Sequence, residues 1–312
     1  MSKRTLPRIL QTPAVLLLLV WMLVPLSMTL YFSFIRYVLN STIRPEWTTP
    51  ALSNWRGFGN YQYVLNAKDF WFAIQNSVFI VSSILVMTVI LGLGIAVLIN
   101  RSFPGRGIVR VLLISPFFVM PAVNGVLWIN MILDPVLGLN GLAIAGLNNV
   151  IDGLRDFPGL GWFFSMWPKL EPISFRATQT SAYAVIMMVT WQWTPFAVLI
   201  FMTSLQSEDE SQKEAATLDG ASAWSQFINL TVPHLARPIA IVVMIQSIFH
   251  LSLYAEIEIV SRGNGNKNLP YLIGEFTSNN IGAASATGIF AVILANIIAI
   301  FLLRMVGKSL MD

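Results

Sequence analysis

The sequence predicts an all-α membrane protein with six transmembrane helices, and three observations lead there. Of its 312 residues, 55% are hydrophobic and only 11% charged, where an ordinary soluble domain carries about 25% charged residues. The mean hydropathy is +0.68, so a soluble fold of this length could not hide its apolar surface and lipid must be the solvent for much of it. Six apolar runs reach the roughly 20 residues that a helix needs to cross the hydrocarbon core.

Taken in order, the runs cover about residues 9–34, 72–99, 108–133, 182–205, 239–259 and 283–306. The first follows a basic tail, but its apolar stretch is too long for a signal peptide and no small-residue cleavage site ends it, so it reads as a retained first helix. Residues 1–312 then form one membrane domain, with long loops at about 36–70, 134–180 and 260–281. Within the middle loop, Leu137–Leu147 and Phe157–Trp167 are apolar but too short to span; Trp162, Phe163, Phe164 and Trp167 suit a headgroup-level segment or ordinary loop packing. Lys and Arg divide almost evenly between the two sides, but their density does not. Lys3, Arg4 and Arg8 crowd the N-terminus and Arg101 and Arg106 a short turn, which places both termini in the cytoplasm and the three long loops outside.

Composition also excludes classes. There is no Cys, and the only histidines are His234 and His250, so disulfides and thiolate metal sites are ruled out and the two His cannot build a metal centre alone. The net charge of +4 and pI near 9.5 do not indicate nucleic acid, because the basic residues sit at the ends of apolar runs rather than in a stripe. Neither a nucleophile–base pair nor a phosphate loop is visible; Gly307-Lys308-Ser309 lacks the leading Gly, its place being taken by Leu302.

Between the fourth and fifth runs lies a polar stretch, "SEDESQKEAATLDGASAWSQFINLTVPHLARP", that holds five of the fifteen acidic residues. Ser207-x-x-Glu210 and Ser211-x-x-Glu214 are overlapping capping-box patterns that predict a helix start. Gly220 interrupts this helix, Ser222 restarts one as N-cap with Trp224, Phe227 and Ile228 on one side, and Pro233 ends the unit before Pro238 opens the next run. The prediction is a helix, a bend and a second short helix. Ala215 and Ala216 leave a shallow surface that either accepts another protein or packs on its own bundle.

Glu214-Ala215-Ala216, three residues, Gly220, nine residues, then Leu230-x-Val232-Pro233 resembles the EAA loop of ATP-binding-cassette (ABC) importer permeases, E-A-A-x3-G-x9-I-x-L-P. The flanking "SLQSEDESQKEAATLDGA" is similar to the maltose-type sugar permeases, with Ser207-Glu208-Asp209 where they carry an Ile-Pro turn. "NYQYVL", "LNGLAIAGL", "LPYLIGEF" and "GAASATG" extend the likeness over essentially the whole chain, and its ending looks most like the sorbitol/mannitol permeases. The resemblance implies a type I ABC importer permease fold in the bacterial inner membrane, and no enzymatic activity in this chain. It makes the loop at about 207–233 a cytoplasmic coupling helix between spans 4 and 5, docking an ATPase subunit through Glu214, Ala215, Ala216, Leu218, Asp219 and Gly220. It implies two copies of that ATPase, which bind the ATP and Mg so that this chain holds no cofactor. The other partners implied are a second homologous permease and an extracytoplasmic solute-binding protein.

Lys and Arg are absent from the depths of the runs, whereas an ionic solute in a dry pathway needs a charged partner. Neutral polar residues and aromatics occur there instead, which suits the hydroxyls and C–H faces of a sugar or polyol. The candidates are Trp193, Asn130, and Gln246, His250 and Tyr254, spaced i, i+4 and i+8 as one stripe of the fifth run. The competing role for each is to bond helix to helix. A competing function is a proton-coupled secondary transporter with His250, Glu256 and Glu258 as relay. Against it, the two Glu lie near the end of their run, where water is available, and no internal repeat is evident. The small residues Gly282, Ala283, Ala284, Ser285, Ala286 and Gly288 suit close helix packing.

Overall fold

The computed structural model describes residues 5–37, 55–159 and 161–311. Lys3 and Arg4, and residues 38–54 of the loop expected at 36–70, lie outside the described residues. The secondary structure described is helical, joined by turns and irregular segments, apart from one isolated bridge between Ile35 and Trp55. Four helices are long and apolar enough to cross a membrane, Leu10–Ser33, Lys68–Asn100, Ser181–Leu205 and Ile281–Phe301; two bent pairs, Arg106–Phe118 with Pro121–Ile132 and Ala223–His234 with Ala236–His250, bring the total to six. The chain divides into two compact units.

The first unit holds α1 (Thr5–Ser33), α2 (Gly59–Asn66), the start of α3 (Lys68–Asn100) and, from the far end of the sequence, residues 269–296. Asn60 is buried and its amide donates to the carbonyls of Ser33 (2.9 Å) and Ile35 (2.8 Å), tying α2 to the end of α1. A Cβ at position 282 would lie 2.7 Å from both the Asn60 amide and the Ile35 carbonyl, so only Gly fits this approach. Val64, Phe70, Ala73, Leu269, Leu272, Ala283 and Ala286 form the core. The small-residue run beginning at Gly282 therefore packs closely against its neighbours.

The second unit holds the rest of α3, α4 (Arg106–Ile114), α5 (Pro121–Leu127), α6 (Leu139–Arg155), α7 (Gly161–Ser165), α8 (Ser181–Leu205), α9 (Glu210–Leu218), α10 (Ala223–Gln226), α11 (Val232–His234), α12 (Ala236–His250) and α13 (Ala255–Ser261). The chain is completed by α14 (Leu269–Thr277) in the first unit and by α15 (Ile281–Met311), whose last part is assigned to the second. The helix α8 is apolar all round and buried along its length, as expected of a helix surrounded by others. Ala96, Ala197, Phe201, Leu235 and Val242 join α3, α8 and α12 in one core.

Two expected spans are not single helices. The third breaks through 103° between a 3-10 turn at Ser115–Phe118 and α5, because Pro116 and Pro121 each remove a backbone donor. The fifth ends at His250, and residues 251–254 are non-helical before α13. Tyr254 therefore leaves the stripe predicted with Gln246 and His250: the i+8 spacing carries it beyond the end of their helix. In the loop between the third and fourth spans, Asn148 donates to the Leu170 carbonyl and accepts from its N–H, both at 2.9 Å. Arg155 donates to the carbonyls of Phe164 and Trp167, so the returning chain is held along α6.

Candidate functional site

The loop after α8 is built by its own side chains. Ser207 donates to the Ser204 carbonyl and closes the preceding helix. Asp209, not Ser207 or Ser211, is the N-cap of α9, and its carboxylate accepts from the Ser211 N–H at 2.9 Å. The capping-box reading thus misplaced the start, because Asp209 offers a stronger acceptor to the free N–H groups of the first turn. Hydrogen bonding from the Ser211 hydroxyl, and then from its N–H, holds the Asp209 carboxyl below its usual range.

The helix ends where Gly220 takes φ +79°. The N–H of Gly220 donates to Thr217 (3.0 Å) and that of Ala221 to Ala216 (2.9 Å), the paired bonds of a Schellman motif. Ser222 then caps α10 by accepting from the Ser225 N–H (3.2 Å). Across the bend, the Gln226 amide donates to the Thr217 hydroxyl (3.0 Å) and the Ala221 carbonyl (3.1 Å). Pro233 does not end the unit; it sits in the first turn of α11, following a π-helical turn at Phe227–Thr231. Of the predicted loop residues, Glu214, Ala215, Leu218, Asp219 and Gly220 are exposed and Ala216 is half-buried. Leu218 is 89% exposed and Trp224, which sequence reasoning left off the docking face, 71%.

In the helix bundle, Trp193, Gln246 and His250 come together. The Gln246 carbonyl oxygen accepts from the Thr88 hydroxyl of α3 at 2.7 Å, and its amide donates to the Trp193 carbonyl at 3.4 Å. The Trp193 ring meets the His250 ring edge-on at 5.0 Å and Phe249 at 5.0 Å. Gln246 and His250 are fully buried, and neither ring nitrogen of His250 has a hydrogen-bond partner. Asn130 and Tyr254 stand apart from these three. Asn130 is exposed and accepts from Arg176 at 2.9 Å, while Tyr254 is 44% exposed. A second polar joint pairs two residues that the sequence places at depth without linking them: the Asn124 amide donates to Gln192 of α8 in a buried bond of 2.9 Å. Nearby, an apolar cleft of about 480 Å³ is lined by Met87, Leu91, Leu112, Trp128, Trp191 and Thr194, without the predicted pathway residues.

Residues 88–312, which include both the loop and this cluster, match the family model described as the binding-protein-dependent transport system inner membrane component. The chain belongs to that family. The permease is 27% identical to the inner membrane ABC transporter permease protein YcjO of Escherichia coli, over 92% of this chain and 91% of that one. It is 22% identical to the trehalose transport system permease protein SugA of Mycobacterium tuberculosis, over 99% of this chain and 91% of that one. The fold matches a chain in the crystal structure of a bacterial ABC transporter involved in the import of the acidic polysaccharide alginate, with TM-score 0.72 and 20% identity, covering 97% of this chain and 95% of that one. This likeness shows the type I importer permease fold.

The permease is thus an inner membrane transport component rather than an enzyme, and its partners are those of the family: a solute-binding protein, ATPase subunits and a second permease. The proton-coupled reading is overturned by this membership. Glu256 is buried, 6% exposed, so the expected water access is not what counts against the relay; the family membership is.

Proposed function

We propose that this permease imports a neutral sugar or polyol, powered by a pair of ATPase subunits of which one docks on its loop at about 207–233. The observation that carries the docking half is the loop itself. It is a capped helix, a glycine-fixed bend and a second helix, presenting Leu218 and Trp224 beside the acidic Glu214 and Asp219. An apolar pair with an acidic rim suits a cleft of apolar and basic groups on a partner. Glu214, Ala215, Ala216, Leu218, Asp219 and Gly220 form the contact face. The loop and both termini lie in the cytoplasm, and ATP and Mg are held by the partners, leaving this chain without a cofactor.

The sugar half is supported by relatives named for trehalose and lactose transport. It is also supported by the neutral and aromatic character of the Trp193, Gln246 and His250 cluster, which offers no cation to an ionic solute. Asn130 and Tyr254 belong to the pathway outside that cluster. Within neutral solutes, the C-terminal resemblance favours a hexitol, sorbitol or mannitol. The test is uptake into vesicles holding the complete complex, across trehalose, maltose, sorbitol, mannitol and an acidic sugar. ATP-dependent uptake of a neutral member is expected, and none by the purified permease alone with ATP or a proton gradient. Proton-driven uptake by the permease alone, or uptake of the acidic sugar only, overturns the proposal.

A further inference from the structure

Glu208 lies in the Ser207-Glu208-Asp209 stretch that stands where maltose-type permeases carry an Ile-Pro turn, and its carboxylate joins the loop's two arms just beyond the contact of His234 with Ser204 (3.0 Å) at their roots. Its side chain is only 7% exposed. One oxygen accepts from the Thr231 hydroxyl at 2.9 Å, and the other pairs with the Lys213 ammonium at 2.8 Å. Thr231 is 6% exposed and closes the π-helical turn that leads into α11 and α12. Lys213 lies one turn into α9. A single carboxylate thus joins the arm that leaves α8, the first turns of α9, and the arm that returns to α12. At the far end, Gln226 bridges Thr217 and Ala221 across the bend. The arms are thus joined at three levels: by His234 and Ser204 at the root, by the sheltered Glu208 carboxylate above it, and by the neutral Gln226 amide at the tip.

We infer that Glu208 is a positioning residue that makes the two arms move as one lever, so that displacement at the α9 face reaches α8 and α12 together. The inference rests on the docking reading of the loop given above. Physically, a Pro-containing turn stiffens a chain by fixing φ. Here the same stiffness comes from a charge-assisted bond, which is stronger than a neutral one and sheltered from the screening that weakens exposed pairs. Without it the arms can separate beyond the Ser204–His234 contact, and motion at the tip is spent in that stretch instead of reaching the membrane helices.

The experiment uses the complete complex in vesicles, with ATP hydrolysis and solute uptake measured together. Glu208→Ala and Thr231→Val, the second nearly isosteric, are each expected to lower solute moved per ATP by at least about fivefold, with complex recovered in normal amount. Thr231→Ser, which returns the hydroxyl, is expected to rescue coupling. Glu208→Gln, which can still accept from Thr231 but loses the ion pair with Lys213, is expected to fall between. Limited proteolysis of residues 208–231 is expected to quicken in the two uncoupled variants. Normal solute per ATP in Glu208→Ala and Thr231→Val, while Gly220→Val and Glu214→Lys do uncouple, overturns the role of Glu208 and leaves docking intact. Normal coupling in all four overturns the docking reading as well. Loss of complex with normal coupling in what remains assigns Glu208 to assembly and also overturns the inference.

Discussion

Replacing Gly220 with Val tests whether the bend in the loop is a working part. At φ +79° an L side chain pays about 1–2 kcal/mol relative to the right-handed region. A Cβ built there meets nothing within 4 Å, so no clash adds to this backbone term. A cost of 1–2 kcal/mol lowers the equilibrium constant for the bent loop roughly 5- to 30-fold, and with it the Gly220–Thr217 and Ala221–Ala216 bonds that define the bend. The core of α3, α8 and α12 does not include this position, so insertion and pairing with the second permease are expected to be normal. The assay is the amount of ATPase co-purifying with the permease pair, together with solute moved per ATP; one or both should fall. Asn tolerates the left-handed region better than other non-glycine residues, so Gly220→Asn should lie between Val and wild type. Wild-type values for Gly220→Val, or equal impairment by Asn and Val, would refute the backbone argument.

Two further contrasts follow from the same geometry. Gln246→Ala removes a joint between α12, α3 and α8, of a kind worth about 0.6–1.7 kcal/mol in membranes, and should lower the thermal stability of the detergent-solubilised complex. His250→Leu, whose ring nitrogens have no partners to lose, should keep that stability and impair uptake; the reverse pattern would assign His250 to structure and Gln246 to the pathway. The Asp209 carboxyl is held below its ordinary range, so its cap contributes fully above the ordinary Asp value of about 3.9 and is lost as pH falls through the lowered folded value. Protease protection of the isolated permease's loop should hold from neutral pH to about pH 5 and decline below about pH 4, with the decline absent in Asp209→Asn, which caps without titrating.

Elements governed by local rules were legible in the sequence. The bend at Gly220 and the restart at Ser222 depend on residues within one turn of them, and both stand as read. The start of α9 was misplaced by two competing Ser because a capping pattern does not rank acceptors, and Asp209 lay between them. The break in the third span was hidden by composition: "ISPFFVMPAV" is as apolar as its surroundings, and hydropathy alone does not register a missing N–H. The fifth breaks at "FHLSLYAE", where His250, Ser252 and Glu256 interrupt the apolar run without a helix breaker. Pro116 and Pro121 were the available signal for the first break, and nothing as plain marks the second. Trp193, Gln246 and His250 could be chosen for depth and chemistry, but the Thr88 partner lies 158 residues from Gln246. No spacing rule reaches that far.

The bent third span has a consequence for how the chain is made. Its turn leaves the Val119 carbonyl beyond the reach of any ordinary helical donor, and the amide of Gln192 fills that role. Gln192 in turn accepts from Asn124, whose amide also reaches the Met188 carbonyl. The corner is thus closed by a helix that begins at Ser181, some sixty residues later in synthesis. Until Gln192 has been made, residues 106–132 lack this donor, and an unbonded carbonyl in hydrocarbon is costly. The 103° corner is therefore expected to be completed only once the fourth span lies beside the third.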